Sequence, residues 1–93
     1  MDFEWDEAKR KLNLIKHGVD FKDVYEVFDA PMTITFDARR AYGEDRWIGI
    51  GQLRGTTVVI VFTERGRESV RIISARRMKK HEKEKNSKRK NRF

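Results

Sequence analysis

Hydrophobic positions along this chain change rhythm several times, and each change marks an element. Phe3-Glu4-Trp5 alternates apolar, polar, apolar and predicts a short strand. Asp6 then predicts a helix N-cap, with Glu7 in the first turn at the positive end of the helix dipole. Trp5, Ala8, Leu12 and Ile15 recur at helical spacing and predict one buried face, while Lys9, Arg10, Lys11 and Lys16 point elsewhere. Gly18 suits the left-handed position just past the helix end. A second helix is predicted from Asp20, with Val19 and Val24 stapling its start and Phe21, Val24, Val27 and Phe28 facing inward. Pro31 stops it, because the residue before a proline is pushed out of the α region.

From there the period drops to two. Met32 to Asp37 alternates strictly and predicts a half-buried strand, followed by a polar loop over residues 38–43. Glu44 to Leu53 predicts another strand. Its Gly49 and Gly51 share a face with Trp47 and leave a shallow place for another backbone, a helix or a base. Arg54-Gly55 predicts a tight hairpin. Val58-Val59-Ile60-Val61-Phe62 is apolar at every position, so that strand belongs in the middle of a sheet, covered on both faces. A turn holding Gly66 leads into a last strand that mixes Val70, Ile72 and Ile73 with Arg71, Arg76 and Arg77. Residues 77–90 are helix-compatible, but Met78 is their one clear apolar anchor. The order β-α-α-β-β-β-β-α predicts a single α+β domain over residues 1–93. Two N-terminal helices pack on an antiparallel β-sheet meander, with a basic C-terminal helix or tail at about 77–93.

Charge sharpens this picture. Residues 76–93 hold ten Lys/Arg and two Asp/Glu, hence 10 − 2 = +8, while the remaining residues hold twelve and thirteen, hence −1. A near-neutral body with a basic arm predicts an anionic partner: RNA, DNA, an acidic protein or a membrane surface. No cysteine is present, which excludes a disulfide framework or a thiolate metal site, and His17 and His81 lack clustered carboxylates, which argues against a metal centre. No apolar run approaches membrane-spanning length and no basic-then-apolar leader opens the chain, so a cytoplasmic protein is expected.

These motifs resemble a known family. FEWDEAKRKLNLIKHGVDF, GEDR, VFTER and RIISARR, followed by a basic helix containing glutamate, are similar in kind and order to the BrnT toxins. Those are RelE-like ribonucleases of type II toxin–antitoxin systems. The resemblance runs from about Phe3 to Lys85. It departs at Asn86, where the family tends to carry tyrosine. It implies a RelE-like fold and an RNase that inhibits translation and uses no metal or other cofactor. It also implies a neutralising BrnA-like ribbon-helix-helix antitoxin, in a 2:2 heterotetramer that binds operator DNA through the antitoxin.

Metal-free RNA cleavage uses the substrate's 2′-hydroxyl as nucleophile. It needs a base, a group that steadies the anionic phosphorane, and a proton for the leaving 5′-oxygen. Arginine suits the middle task because its planar fork holds phosphate oxygens bidentately. Acid–base groups must then come from Glu44, Glu64, His17, His81 and Glu82. Pairing across the hairpins puts Arg46 and Arg71 opposite Thr63, with Glu44 and Arg65 one step further on. Arg76 should lie ~25 Å from Arg65. The catalytic candidates are therefore Glu44, Arg46, Arg65, Arg71 and Arg76, with Lys16, His17, Arg77, Lys79 and Lys80 as RNA contacts. The favoured arrangement sets Glu44, Arg46 and Arg65 at the scissile group with Arg71 beside them, while Arg76 and the tail track the RNA backbone. The reverse arrangement stays open. Plainer roles compete: Glu44 and Arg65 as a cross-strand ion pair, Arg71 paired with a helix carboxylate, His17 as a helix cap, and Trp5 and Trp47 as core. At the level of the whole chain, a non-catalytic nucleic-acid-binding module and a basic protein-docking module are the alternatives.

Overall fold

The computed structural model describes residues 1–39 and 43–84. The predicted Asn86 departure and the tail from residue 85 lie outside them. The elements are β1 (Asp2–Trp5), α1 (Glu7–His17), a 3₁₀ turn (Phe21–Asp23), α2 (Tyr25–Phe28), β2 (Thr33–Phe36), β3 (Trp47–Leu53), β4 (Thr56–Arg65), β5 (Ser69–Arg77) and α3, described over residues 80–84. The five strands form one sheet in the order β1-β5-β4-β3-β2. Strands β2 to β5 are the expected antiparallel meander, and β1 joins the edge of β5 in parallel.

Turn chemistry fixes the registers. Arg54 and Gly55 both take positive φ, 50° and 83°, so Leu53 pairs with Thr56 across a two-residue loop. Positive φ strains Arg54, but its fork reaches Glu26, with Nη2 2.6 Å from Oε2. At the next turn Arg65 pairs with Ser69. Further along, Val61 pairs with Ser74 but Phe62 pairs with Ile72, so Ile73 is an extra residue in a β-bulge. Arg71 and Arg76 stand five apart, which in a regular strand would put them on opposite faces. The bulge brings both to one face, since their partners Thr63 and Val59 stand four apart on β4.

Val58, Ile60, Phe62, Val70, Ile72 and Ala75 line the other face and pack under Val19, Phe21, Val24 and Val27. Each fully buried side chain of this set contributes roughly 1.5–3 kcal/mol through removal from water. Phe28 stacks edge-on with both Phe3 (5.2 Å) and Phe62 (5.0 Å), tying β1 to β4. The shallow place at Gly49 and Gly51 is filled from within: a Cβ there would strike Met32 and Val27.

The predicted inner face of α1 is turned outward. Leu12 is 66% and Ile15 84% exposed, while Asn13 is buried. The cause is position. β1 pairs with β5 only as far as Ile72, leaving the edge of β5 beyond it to be covered by α1. An apolar helix face would orphan that edge's backbone groups. Asn13 satisfies them: its Nδ2 donates to the Ala75 carbonyl (2.7 Å), its Oδ1 accepts from the Ala75 N–H (3.2 Å), and Nδ2 also donates to the Val19 carbonyl (2.9 Å). The second helix is shorter than predicted, a 3₁₀ turn and one α turn, although Phe21, Val24 and Val27 are buried as expected. Strand β2 is exposed at all four residues and so is an edge rather than half-buried.

Candidate RNA-cleaving face

The sheet face away from α2 and the 3₁₀ turn carries two charged clusters. One lies where β3 enters the sheet. Glu44 sits between Arg46 (3.7 Å) and Arg65 (3.8 Å), and Arg65 also approaches Glu4 (3.6 Å). The Thr63 hydroxyl donates to the Asp45 carbonyl at 2.6 Å and ties this segment to β4. Arg71 is in register with Thr63 on one side and Glu4 on the other. The pairing arithmetic thus brings Glu44, Arg46, Arg65 and Arg71 together as expected. The Glu44–Arg65 contact is long, and Arg65 is half exposed, so as an ion pair it contributes only a fraction of a kcal/mol.

The second cluster lies at the far end of β5. Arg76 grips Glu82 bidentately, Nη1 to Oε1 at 2.7 Å and Nη2 to Oε2 at 2.8 Å. Glu82 also accepts from the Lys79 backbone N–H at 2.8 Å, as an acid in the first turn of α3 does. Hydrogen bonds from Arg76 lower the Glu82 carboxyl from its ordinary 4.5 to about 2, so it is ionised at neutral pH. His17 closes α1 beside this group, with Gly18 (φ 70°) donating its N–H to the Leu14 carbonyl. Burial pushes the His17 imidazole below its usual 6.5, and the positive charges of Lys16, Arg76 and Lys79 push it the same way. Arg39, whose fork holds the buried Asp37 at 2.8 Å from two of its nitrogens, lies near enough to Arg76 for their charges to interact. Arg77, Lys79 and Lys80 are exposed around this end, as is Lys16.

Val59, opposite Arg76, lies six residues from Arg65 along β4, so the clusters stand ~20 Å apart and cannot hold one phosphate. Trp5 and Trp47 pack against the core, the plainer of their two readings. Sequence reasoning passed over Asn13 and the Asp37–Arg39 pair. The signal for Asn13 was present: a helix-disfavouring residue in mid-helix, within the WD…K…N…KHG pattern. Among the described residues, no group of three or more His, Asp or Glu side chains is placed to hold a metal ion. Nor is any described helix long and apolar enough to cross a membrane.

Comparison with known proteins bears on the family and the fold. The model of the family described as "Ribonuclease toxin, BrnT, of type II toxin-antitoxin system" matches residues 5–82. The 1.1 Å crystal structure of the Brucella abortus ribonuclease toxin, BrnT, is 33% identical and superposes with a TM-score of 0.68 over 86% of this chain and 99% of that one. No curated protein matches the chain. An α+β fold with N-terminal helices packed on a five-stranded sheet, a matching family model over most of the length and a solved relative of the same fold lead to one conclusion: the chain belongs to the BrnT ribonuclease toxins of type II toxin–antitoxin systems.

Proposed function

We propose that this toxin cuts RNA without a metal, by attack of the substrate's own 2′-hydroxyl, and that the chemistry takes place at Arg76. The carrying observation is the place of His17 at the end of α1, within electrostatic reach of Arg76, where burial and the surrounding cations disfavour its charged form. His17 takes the 2′-hydroxyl proton as the 2′-oxygen attacks phosphorus. Arg76 exchanges the Glu82 carboxylate for the phosphorane oxygens, and Lys16 and Lys79 offset the gathering charge. The P–O5′ bond breaks, leaving a 2′,3′-cyclic phosphate, and the leaving oxygen is protonated from water at this open surface. Glu44, Arg46, Arg65 and Arg71 hold the same strand ~20 Å away and contribute mainly to binding. This reverses the order of preference drawn from sequence, because the Glu44 cluster pairs carboxylates with guanidiniums and holds no imidazole.

Cleavage by the purified chain should persist in EDTA and vanish on substrate lacking 2′-hydroxyls. Arg76→Ala should lower the rate by about 100-fold or more, as loss of a transition-state donor does. Arg65→Ala and Arg46→Ala should act through KM, by roughly tenfold. Loss of activity in EDTA ends the mechanism. A larger kcat loss in Arg65→Ala than in Arg76→Ala moves the chemistry to the other end, and salt-sensitive RNA binding without product favours a non-catalytic module. The same reading includes inhibition of translation in the cytoplasm and a BrnA-like antitoxin in a 2:2 complex.

A further inference from the structure

The outward face of α1 is unexplained by folding or by RNA cleavage. Ala8, Leu12 and Ile15 stand at i, i+4 and i+7 and form one exposed apolar strip. It is ~10 Å long at 1.5 Å per residue. By helical spacing Lys11 flanks one side, and Lys9 and Lys16 the other, and all three are exposed. The opposite face of the helix is fixed to the body by Asn13 and by Arg10, whose fork reaches both Glu7 and Asp20. The helix is therefore a rigid platform, and its strip cannot roll inward.

We infer that this strip is the docking surface for an acidic amphipathic helix of the neutralising partner, laid along α1 with apolar side chains on Leu12 and Ile15 and carboxylates against Lys9, Lys11 and Lys16. The inference rests on the chain acting as a toxin that a protein partner neutralises. Charge complementarity selects the occupant. A second copy would set these lysines against their own duplicates. Residues 85–93 carry five Lys/Arg and no Asp/Glu, so the chain's own tail is repelled as well. RNA gains nothing from exposed leucine and isoleucine. A membrane surface would require a longer apolar face than two turns of a pinned helix supply. The direction of the strip adds a consequence. Its end at Lys16-His17 lies within electrostatic reach of Arg76 and Lys79. A partner helix that overhangs α1 by one turn places its acidic groups over the cluster that would grip phosphate. Docking and inhibition then follow from one contact.

The test titrates the full chain with its cognate antitoxin and measures RNA cleavage on the same samples. Leu12→Glu/Ile15→Glu should weaken antitoxin binding by on the order of 100-fold, leaving thermal unfolding and cleavage by the free toxin within twofold of the parent. Lys9→Glu/Lys11→Glu should slow association and flatten its salt dependence. Antitoxin affinity within threefold of the parent for both variants overturns the inference. So does strip-dependent capture of vesicles of equal phosphatidylcholine and phosphatidylglycerol, or self-association of the parent that Leu12→Glu/Ile15→Glu abolishes. The catalytic reading is judged separately: a parent that binds antitoxin through the strip but never cuts RNA leaves the surface standing and removes the mechanism.

Discussion

Replacing Asn13 with alanine tests how the fold carries the site. Three buried hydrogen bonds leave with the side chain, to Val19 O, Ala75 O and Ala75 N. Ala75 is fully buried, so water cannot substitute at its backbone without opening the α1–β5 contact. Taking ~1 kcal/mol per orphaned group, the low end of the range for unsatisfied buried polar atoms, gives ~3 kcal/mol of destabilisation. A domain of this size has roughly 5–14 kcal/mol in all, so the variant folds but with a large fraction of its stability gone. The expected fall in melting temperature is about 15 °C. Asn13→Asp keeps one acceptor, loses both donated bonds and buries a charge, so it should be worse still. Urea titration gives the free energy, and amide exchange at Ala75 locates it. The Ala75 N–H should lose protection beyond the global loss, and RNA cleavage should fall as well, because Arg76 is the next residue. A loss under 1 kcal/mol, or unchanged relative protection at Ala75, would show that Asn13 does not pin β5.

Further outcomes follow from particular contacts. Gly51→Ala places a Cβ 2.7 Å from Val27 Cγ1 and 3.2 Å from Met32 Cβ, atoms close to backbone, and should cost about 1–3 kcal/mol. Gly49→Ala meets mainly the flexible end of Met32 and should cost less; the reverse order in urea titration would contradict this packing. Glu82, at about 2 instead of 4.5, stabilises the Arg76–α3 contact fully above pH 4.5, and the contribution disappears as pH falls toward 2. The stability gap between the parent and Glu82→Gln should accordingly narrow between pH 5 and pH 3, and a constant gap would refute the pairing. The acidic limb of the cleavage rate should lie below pH 6.5, move upward when Lys16→Ala removes a cation beside His17, and be absent in His17→Gln. A limb that persists in His17→Gln would assign the base elsewhere.

Much of the fold was legible because turn chemistry and strand composition agree locally. Arg54-Gly55, Gly66 and the run Val58–Phe62 set the two hairpins, and from them came the Glu44–Arg65 contact and the face shared by Arg46 and Arg71. What failed was nonlocal. Helical spacing found the apolar stripe on α1 but not its direction, since only the unpaired edge of β5 makes a polar residue the better inner face. Likewise Gly49 and Gly51 suggested an opening, whereas Met32 and Val27, brought across from other elements, occupy it. Simple alternation also could not place Arg76, and the value of His17 depends on cations that arrive from β5 and the segment after it.

The surplus residue at Ile73 gives the length of β5 a meaning independent of its chemistry. Another apolar side chain at that position keeps the bulge, but if Ile73 entered the ladder as an ordinary strand residue every later residue would turn over. Ala75 would then leave the core and Arg76 would enter it. The anion-gripping surface thus depends on one residue staying outside the ladder, and a gap at that position would leave a regular strand with Ala75 and Arg76 on their present faces.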